Sequence, residues 1–266
     1  MAGHDSDLSA DLVATAHLLA DAARKATLLH FRKPDLLADT KEEAWFDPVT
    51  VADRLSEERM RAILAQRRPD DGILGEEFGP KAGTSGLTWV LDPIDGTRGY
   101  LSGTPTWGVL ISVADASGPI YGLIDQPYIS ERFEGGFGIA RVVGPMGEAA
   151  LRCRPPRDLG QAIVFTTFPE VGTPEESAAF ARVGGQARLV RYGMDCYAYA
   201  LIAAGTIDLV IEAGLQAYDV QAPIAVIQAA GGVVTNWQGG ACHMGGQILA
   251  AANPQIHAQA MALLNA

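Results

Sequence analysis

From Leu8 to Lys33 the apolar residues Leu8, Leu12, Ala16, Leu19, Ala23 and Ala26 recur three or four positions apart, which predicts an amphipathic helix ended by Pro34. A polar stretch from Asp35 to Asp47 follows, and then Pro48-Val49-Thr50. Thr50 and Asp53 have the capping-box form, with Asp in the place more often held by Glu, and Leu55, Met60, Ile63 and Leu64 continue at helical spacing. A second helix is therefore expected from Thr50 to about Gln66. The rhythm then shortens. Gly72 to Glu76 and Thr88 to Asp92 read as short strands, Trp107 to Val113 and Ile120 to Asp125 as a hairpin around Ala116-Ser117-Gly118, and Ile129 to Val143 as strand broken by glycines.

In the second half, strands alternate with helices. Strands are expected at Ala162 to Thr166, Arg188 to Arg191, Ile207 to Glu212 and Val233 to Thr235. Helices are expected at Pro174 to Val183, Asp195 to Ala204, Val220 to Ala230 (stopped by Gly231-Gly232) and Pro254 to Leu264. A meander followed by alternation implies a layered α/β architecture. No internal repeat, low-complexity tract or long linker interrupts the chain, so residues 1–266 read as one domain in two closely packed halves, about 1–150 and 151–266.

Composition narrows the function classes. With 266 residues, 48% of them hydrophobic, the chain can bury an ample core. A net charge of −11 argues against nucleic acid or an anionic membrane as partner, and means that a small anionic substrate needs a local cation. Lys41 and Arg98 lie near candidate site segments, and a bound metal would serve the same end. Cys153, Cys196 and Cys242 are scattered without C-x-x-C spacing, so neither a disulfide framework nor a zinc site is expected. Met1 to Asp11 carries acids where a signal peptide would carry bases, and no run of about 18 apolar residues follows, so a cytoplasmic location is expected.

The chemistry gathers on acids at element ends. The run Trp89-Val90-Leu91-Asp92-Pro93-Ile94-Asp95-Gly96-Thr97 delivers two carboxylates, three residues apart, onto a tight turn. Carboxylates this close repel unless a cation sits between them, and hard oxygen ligands on a rigid turn suit magnesium. The plainer reading is a solvated turn built of ordinary turn formers. Glu76 ends the strand before Gly79, and Asp53 lies in the first turn of the second helix. Asp219 opens the helix containing Pro223, a residue suited to a first turn. For Asp53 and Asp219 the plainer reading is helix N-terminal acids favoured by the macrodipole, and for Glu212 a polar strand end.

Four segments together carry a resemblance. Gly75-Glu76-Glu77, Trp89 to Thr97, and Tyr218-Asp219 with Gly231-Gly232 behind it resemble three motifs of the inositol monophosphatase family, and Pro48-Val49-Thr50-x-x-Asp53 resembles a fourth. They follow the family's order at similar spacings and span most of the chain. The resemblance implies an αβαβα sandwich, a homodimer, and lithium-sensitive hydrolysis of phosphate monoesters with two or three Mg2+ ions per subunit. By motif position, Glu76, Asp92, the Ile94 carbonyl and Asp95 would hold one ion, and Asp92, Asp95 and Asp219 a second, with Glu76 sharing a looser third. Glu76, Thr97 and Asp53 would be the catalytic set at the attacking water. Asp95, Gly96, Thr97, Arg98, Asp195, Glu212 and Asp219 would border the substrate. Paired cations make chemical sense of such a set, since they offset the charge of the ester and its nucleophile in an in-line displacement.

The alcohol is less constrained. Arg98, Asp195 within Gly193 to Tyr199, Gln126-Pro127, Glu131-Arg132-Phe133 and Trp107-Gly108 depart from the inositol-type pattern and resemble the branch acting on histidinol phosphate. That substrate carries an amino cation and an imidazole, which Asp195 and Glu212 would pair with through charge-assisted hydrogen bonds. The plainer alternative makes Asp195 the cap of the helix that follows it. An inositol monophosphatase, a broad sugar-phosphate phosphatase and a non-catalytic metal-binding relative stand as rival readings.

Overall fold

The computed structural model describes residues 6–33, 38–40 and 48–266. Lys41, and most of the Asp35 to Asp47 stretch, lie outside these.

The N-terminal helix α1 (Ser6–His30) buries Leu12, Ala16, Leu19, Ala20 and Ala23, the stripe expected from the spacing. Short strands β1 (Ala38–Thr40) and β2 (Pro48–Thr50) pair antiparallel. They lead into α2 (Val51–Arg67), which Thr50 caps with the expected capping box. Next come β3 (Gly72–Gly75), β4 (Gly79–Lys81), β5 (Thr88–Asp95), the short helix α3 (Thr97–Ser102), and the hairpin β6 (Gly108–Asp115) and β7 (Gly118–Gln126). The meander continues through β8 (Glu131–Gly136), β9 (Ile139–Gly144) and β10 (Gly147–Ala150). These strands form one eight-stranded sheet, β10-β9-β8-β7-β6-β5-β3-β4, antiparallel except where β3 runs parallel to β5.

A 3-10 turn at Leu159–Gln161 opens the second half. It is followed by β11 (Ile163–Thr166), α4 (Pro174–Gly184), β12 (Leu189–Tyr192), α5 (Asp195–Ala203) and β13 (Leu209–Gln216). The chain ends with α6 (Ala217–Ala229), β14 (Val233–Thr235), β15 (Gly245–Ala251) and α7 (Pro254–Leu264). The five strands form a mixed sheet, β12-β11-β13-β15-β14.

Alternation along the strands sets the layers. In β6, Val109, Ile111 and Val113 face a core shared with α1 and α2, while Leu110 faces the opposite core with α5 and α6. In β13, Val210 joins that same inner core, and Leu209 and Ile211 turn outward to α4 and α7. The order is therefore helices, large sheet, helices, small sheet, helices: the αβαβα sandwich. Among the described residues no helix is long and apolar enough to cross a membrane.

The structure differs from the sequence reading in several details, β4, α3 and β10 being elements the spacing does not predict. β5 does not stop at Asp92 but runs to Asp95, because a bulge lets it keep pairing with β6. β15 was not anticipated, since Gly245 to Ala251 is rich in Gly and Ala and nearly devoid of β-branched residues. Pro223 lies in the second turn of α6, not the first. Having no N–H, it leaves the Asp219 carbonyl without its i+4 donor, a cost the surrounding buried helix absorbs.

Candidate metal centre and substrate cleft

Each acid owes its place to a local device. Between Asp92 and Asp95, β5 takes three residue steps where β6 takes two, from Leu110 to Gly108. Residues three apart on a regular strand face opposite sides, and the extra residue at Pro93-Ile94 returns both carboxylates to one side. Ile94 N donates to Asp92 Oδ1 at 3.0 Å and fixes the bulge. Gly96 then turns the chain at φ 88°, and a Cβ there would lie 2.8 Å from the Asp195 side chain. The second sheet repeats the design: β13 has a bulge between Glu212 and Leu215, and α6 follows with Asp219 in its first turn. One oxygen of Asp219 accepts from Gln216 N at 2.7 Å, closing the helix end, so its plainer role as an N-terminal acid is real.

The two halves meet at these acids. Oxygens of Asp92, Asp95 and Asp219 lie within 4.8 Å of one another. Glu76, one residue beyond β3, borders the same cleft, where its charge bears on Asp92. Burial, and then the charges of Glu76, Asp95 and Asp219, push Asp92 well above the usual carboxylate range. Burial and the charges of Asp219 and Asp195 do the same to Asp95, and burial foremost raises Asp219 to about 7. Three hard oxygen donors, mutually repelling, one buried and two half-buried, fit a divalent cation, whose charge would return each to its ionised form.

Asp53 stands behind this cluster. Its Oδ2 accepts from Thr50 N at 2.8 Å and from Thr50 Oγ1 at 2.6 Å. Thr97 Oγ1 lies 3.1 Å from the Ile94 carbonyl oxygen and 3.4 Å from Asp53 Oδ1, two acceptors for one proton. Burial raises the Asp53 carboxyl to about 7. Asp53 is thus both a helix-capping acid and a neighbour of Thr97.

A cleft of about 580 Å³ opens beside the acids, bordered by Gly96, Thr97, Arg98, Asp195, Glu212 and Asp219 among others. Asp195 does not cap α5. That end is capped from the other half of the molecule, where Asp95 Oδ2 accepts from Cys196 N at 2.6 Å. Asp195 adopts a left-handed backbone, φ 44°, with Thr106 Oγ1 3.5 Å away. Burial and the charge of Glu212 raise it to about 7, against the pull of Thr106 and Arg98. Glu212 differs: one oxygen takes Thr167 N at 3.0 Å and Thr167 Oγ1, and the other takes Tyr199 OH at 2.7 Å. Both its oxygens are engaged by the protein's own donors. The Arg98 guanidinium sits 4.9 Å from the centre of the Phe168 ring at the cleft wall.

Thr167, Phe168 and Tyr199 were not anticipated. The first two simply follow β11, and nothing in their type marks them. Tyr199 lies within the unusual Gly193 to Tyr199 stretch, which was the available signal.

The chain matches the inositol monophosphatase family over residues 9–266. It is 38% identical to the bifunctional phosphatase IMPL2, chloroplastic, of Arabidopsis thaliana, over 96% of this chain and 76% of that protein. It is 32% identical to a histidinol-phosphatase of Mycobacterium tuberculosis, over 97% of this chain and 100% of that protein. Among solved structures, an inositol monophosphatase from Zymomonas mobilis superposes with a TM-score of 0.85 at 33% identity, covering 99% of this chain and 100% of that one. Matched along nearly its whole length in sequence and in fold, the chain belongs to the inositol monophosphatase family.

Proposed function

We propose that this protein is a magnesium-dependent phosphate monoester hydrolase whose preferred substrate is histidinol phosphate. The observation that carries the reading is Asp195, a half-buried acid in a left-handed conformation, beside the acidic cluster and spared from helix capping. The Mycobacterium tuberculosis relative named histidinol-phosphatase, matched over its full length, supports it.

Asp92, Asp95, Asp219, Glu76 and the Ile94 carbonyl would hold two or three Mg2+ ions. When bound, these supply the positive charge that lets an anionic ester meet a nucleophile, and they acidify water. The chain's own groups do the rest. Glu76 accepts the proton of the attacking water, and Thr97, oriented by Asp53, holds that water in line with the phosphorus. The backbone at Gly96 and Thr97, where α3 opens, donates to the phosphate oxygens. Water adds to phosphorus, the ester P–O bond breaks, and the leaving alkoxide takes a proton from solvent, balancing the one Glu76 accepted from the attacking water. Beside Gly96, Asp195 pairs with the substrate's cationic group, which offsets the cost of keeping an acid partly buried there. Glu212, engaged by Thr167 and Tyr199, shapes the cleft wall and adds negative potential.

An inositol phosphate is the second reading, favoured by the Zymomonas mobilis structure and by the absence of a spare oxygen on Glu212. Phosphate release compared across histidinol phosphate, myo-inositol 1-phosphate, fructose 1,6-bisphosphate and adenosine 3′,5′-bisphosphate tests the choice. The highest kcat/KM is expected on histidinol phosphate. A preference for myo-inositol 1-phosphate would replace it with the second reading.

A further inference from the structure

Glu76 is carried on the turn between β3 and β4, and two amides of that turn donate to a side chain. Glu77 N donates to Glu57 Oε2 at 2.7 Å, and Phe78 N to Glu57 Oε1 at 3.3 Å. Glu57 is fully buried on α2, and Arg61 one helical turn on meets its charge, Nε to Oε1 at 2.7 Å. Arg61 also reaches across with Nη2 to the Gly79 carbonyl, so guanidinium and carboxylate together clasp both sides of the turn. The approach is close: a Cβ on Gly75 would stand 2.0 Å from Glu57 Oε1. Only glycine at position 75 leaves room for the carboxylate.

Asp53 sits four residues earlier on the same helix, beneath Thr97. One face of α2 therefore presents two buried carboxylates, one turn apart, to the two segments that bear the proposed catalytic groups. A buried carboxylate is costly unless fully paired, and an apolar side chain of similar volume would fill the space at less cost. What such a side chain would not supply is a pair of acceptors for Glu77 N and Phe78 N.

We propose that Glu57 is a positioning residue for Glu76: by holding the amides on its far side, it fixes the turn that keeps the Glu76 carboxylate beside Asp92. This rests on the reading of Glu76 as a metal-site acid. The test compares wild type with Glu57→Gln, which turns a donor toward donors, and Glu57→Asp, which keeps the charge but is one methylene short. Mg2+ binding is measured by isothermal titration calorimetry, melting temperature in the absence of metal, and kcat and KM on histidinol phosphate. Both variants are expected to bind Mg2+ roughly 10- to 100-fold more weakly, the usual effect of losing an outer-sphere partner. Their kcat should fall while KM moves by less than about 3-fold. A folded variant with wild-type Mg2+ affinity would overturn the proposal, and failure of both variants to fold would reduce Glu57 to a structural pin. Wild-type protein that takes up no Mg2+ would instead overturn the phosphatase reading itself.

Discussion

Under the proposed reading, Asp195 is the residue that sets substrate preference. A non-glycine residue at φ 44° carries backbone strain, and Asp tolerates that region better than most residues. The strain, the partial burial and the missing cap all make sense if a ligand uses the carboxylate. Asp195→Asn should therefore lower kcat/KM for histidinol phosphate by roughly 10- to 100-fold, the value of one hydrogen bond to a charged group. On a simple aryl phosphate, which has no cation to pair, the loss should stay below about 3-fold. Equal losses on both substrates would remove Asp195 from substrate recognition. At this scale the sequence was informative where chemistry is carried by residue type. Asp92, Asp95, Asp219 and Glu76 announced themselves as acids at element ends; the structure gathers the first three and sets Glu76 at the border of the same cleft. Glu57 did not, because nothing in a helix-interior glutamate distinguishes a buried anchor from a solvated one. Nor did Phe168, whose contact with Arg98 depends on a loop that periodicity does not describe.

Elements place the acids through two bulges and two helix starts. Had β5 paired regularly with β6, Asp92 and Asp95 would point to opposite faces; the irregularity is what turns both carboxylates toward the cleft. The helix α2 has a comparable task, since its first turn carries Asp53 and its second Glu57. Its start depends on Thr50, whose hydroxyl accepts from Ala52 N at 3.1 Å and donates to Asp53 at 2.6 Å. Thr50→Ala should destabilise the protein by about 1 kcal/mol, read as a lower urea midpoint at unchanged slope. An unchanged midpoint would show that the capping box contributes nothing there. The helices were readable because apolar spacing and caps are local signals. The bulges were not, since a bulge exists only relative to a partner strand. β15 escaped for a related reason: its Ile248, Leu249, Ala250 and Ala251 are strand residues by virtue of the cores on either side, not by propensity.

At the scale of the whole molecule, a chain of net charge −11 concentrates acids in one cleft, and this governs how stability responds to pH. Asp53, Asp195 and Asp219 are raised from 3.8 to about 7 in the folded protein. Between those values the folded protein holds protons that the unfolded chain has lost, so stability falls as pH rises through that window. Glu134 acts oppositely. His17, Tyr121 and Arg141 outweigh its burial and bring it from 4.5 down to about 2, so its contribution is present at higher pH and is lost only as pH falls through that lower range. Metal-free protein should therefore melt at a lower temperature at pH 8 than at pH 5.5. Added Mg2+ should raise the melting temperature strongly at pH 8 and little at pH 5.5, where protons compete for the same oxygens. A melting temperature that is flat across this range, with or without Mg2+, would contradict the assignment of buried, mutually repelling acids.

The gathering of Asp92, Asp95 and Asp219 around a shared cation is tested most directly by anomalous diffraction from crystals soaked in Mn2+, a close mimic of Mg2+ with a usable absorption edge. Anomalous peaks are expected between the Asp92, Asp95 and Asp219 carboxylates, with Glu76 at the border of the site. A map with no peak among those oxygens, at a concentration of Mn2+ that supports turnover, would contradict it.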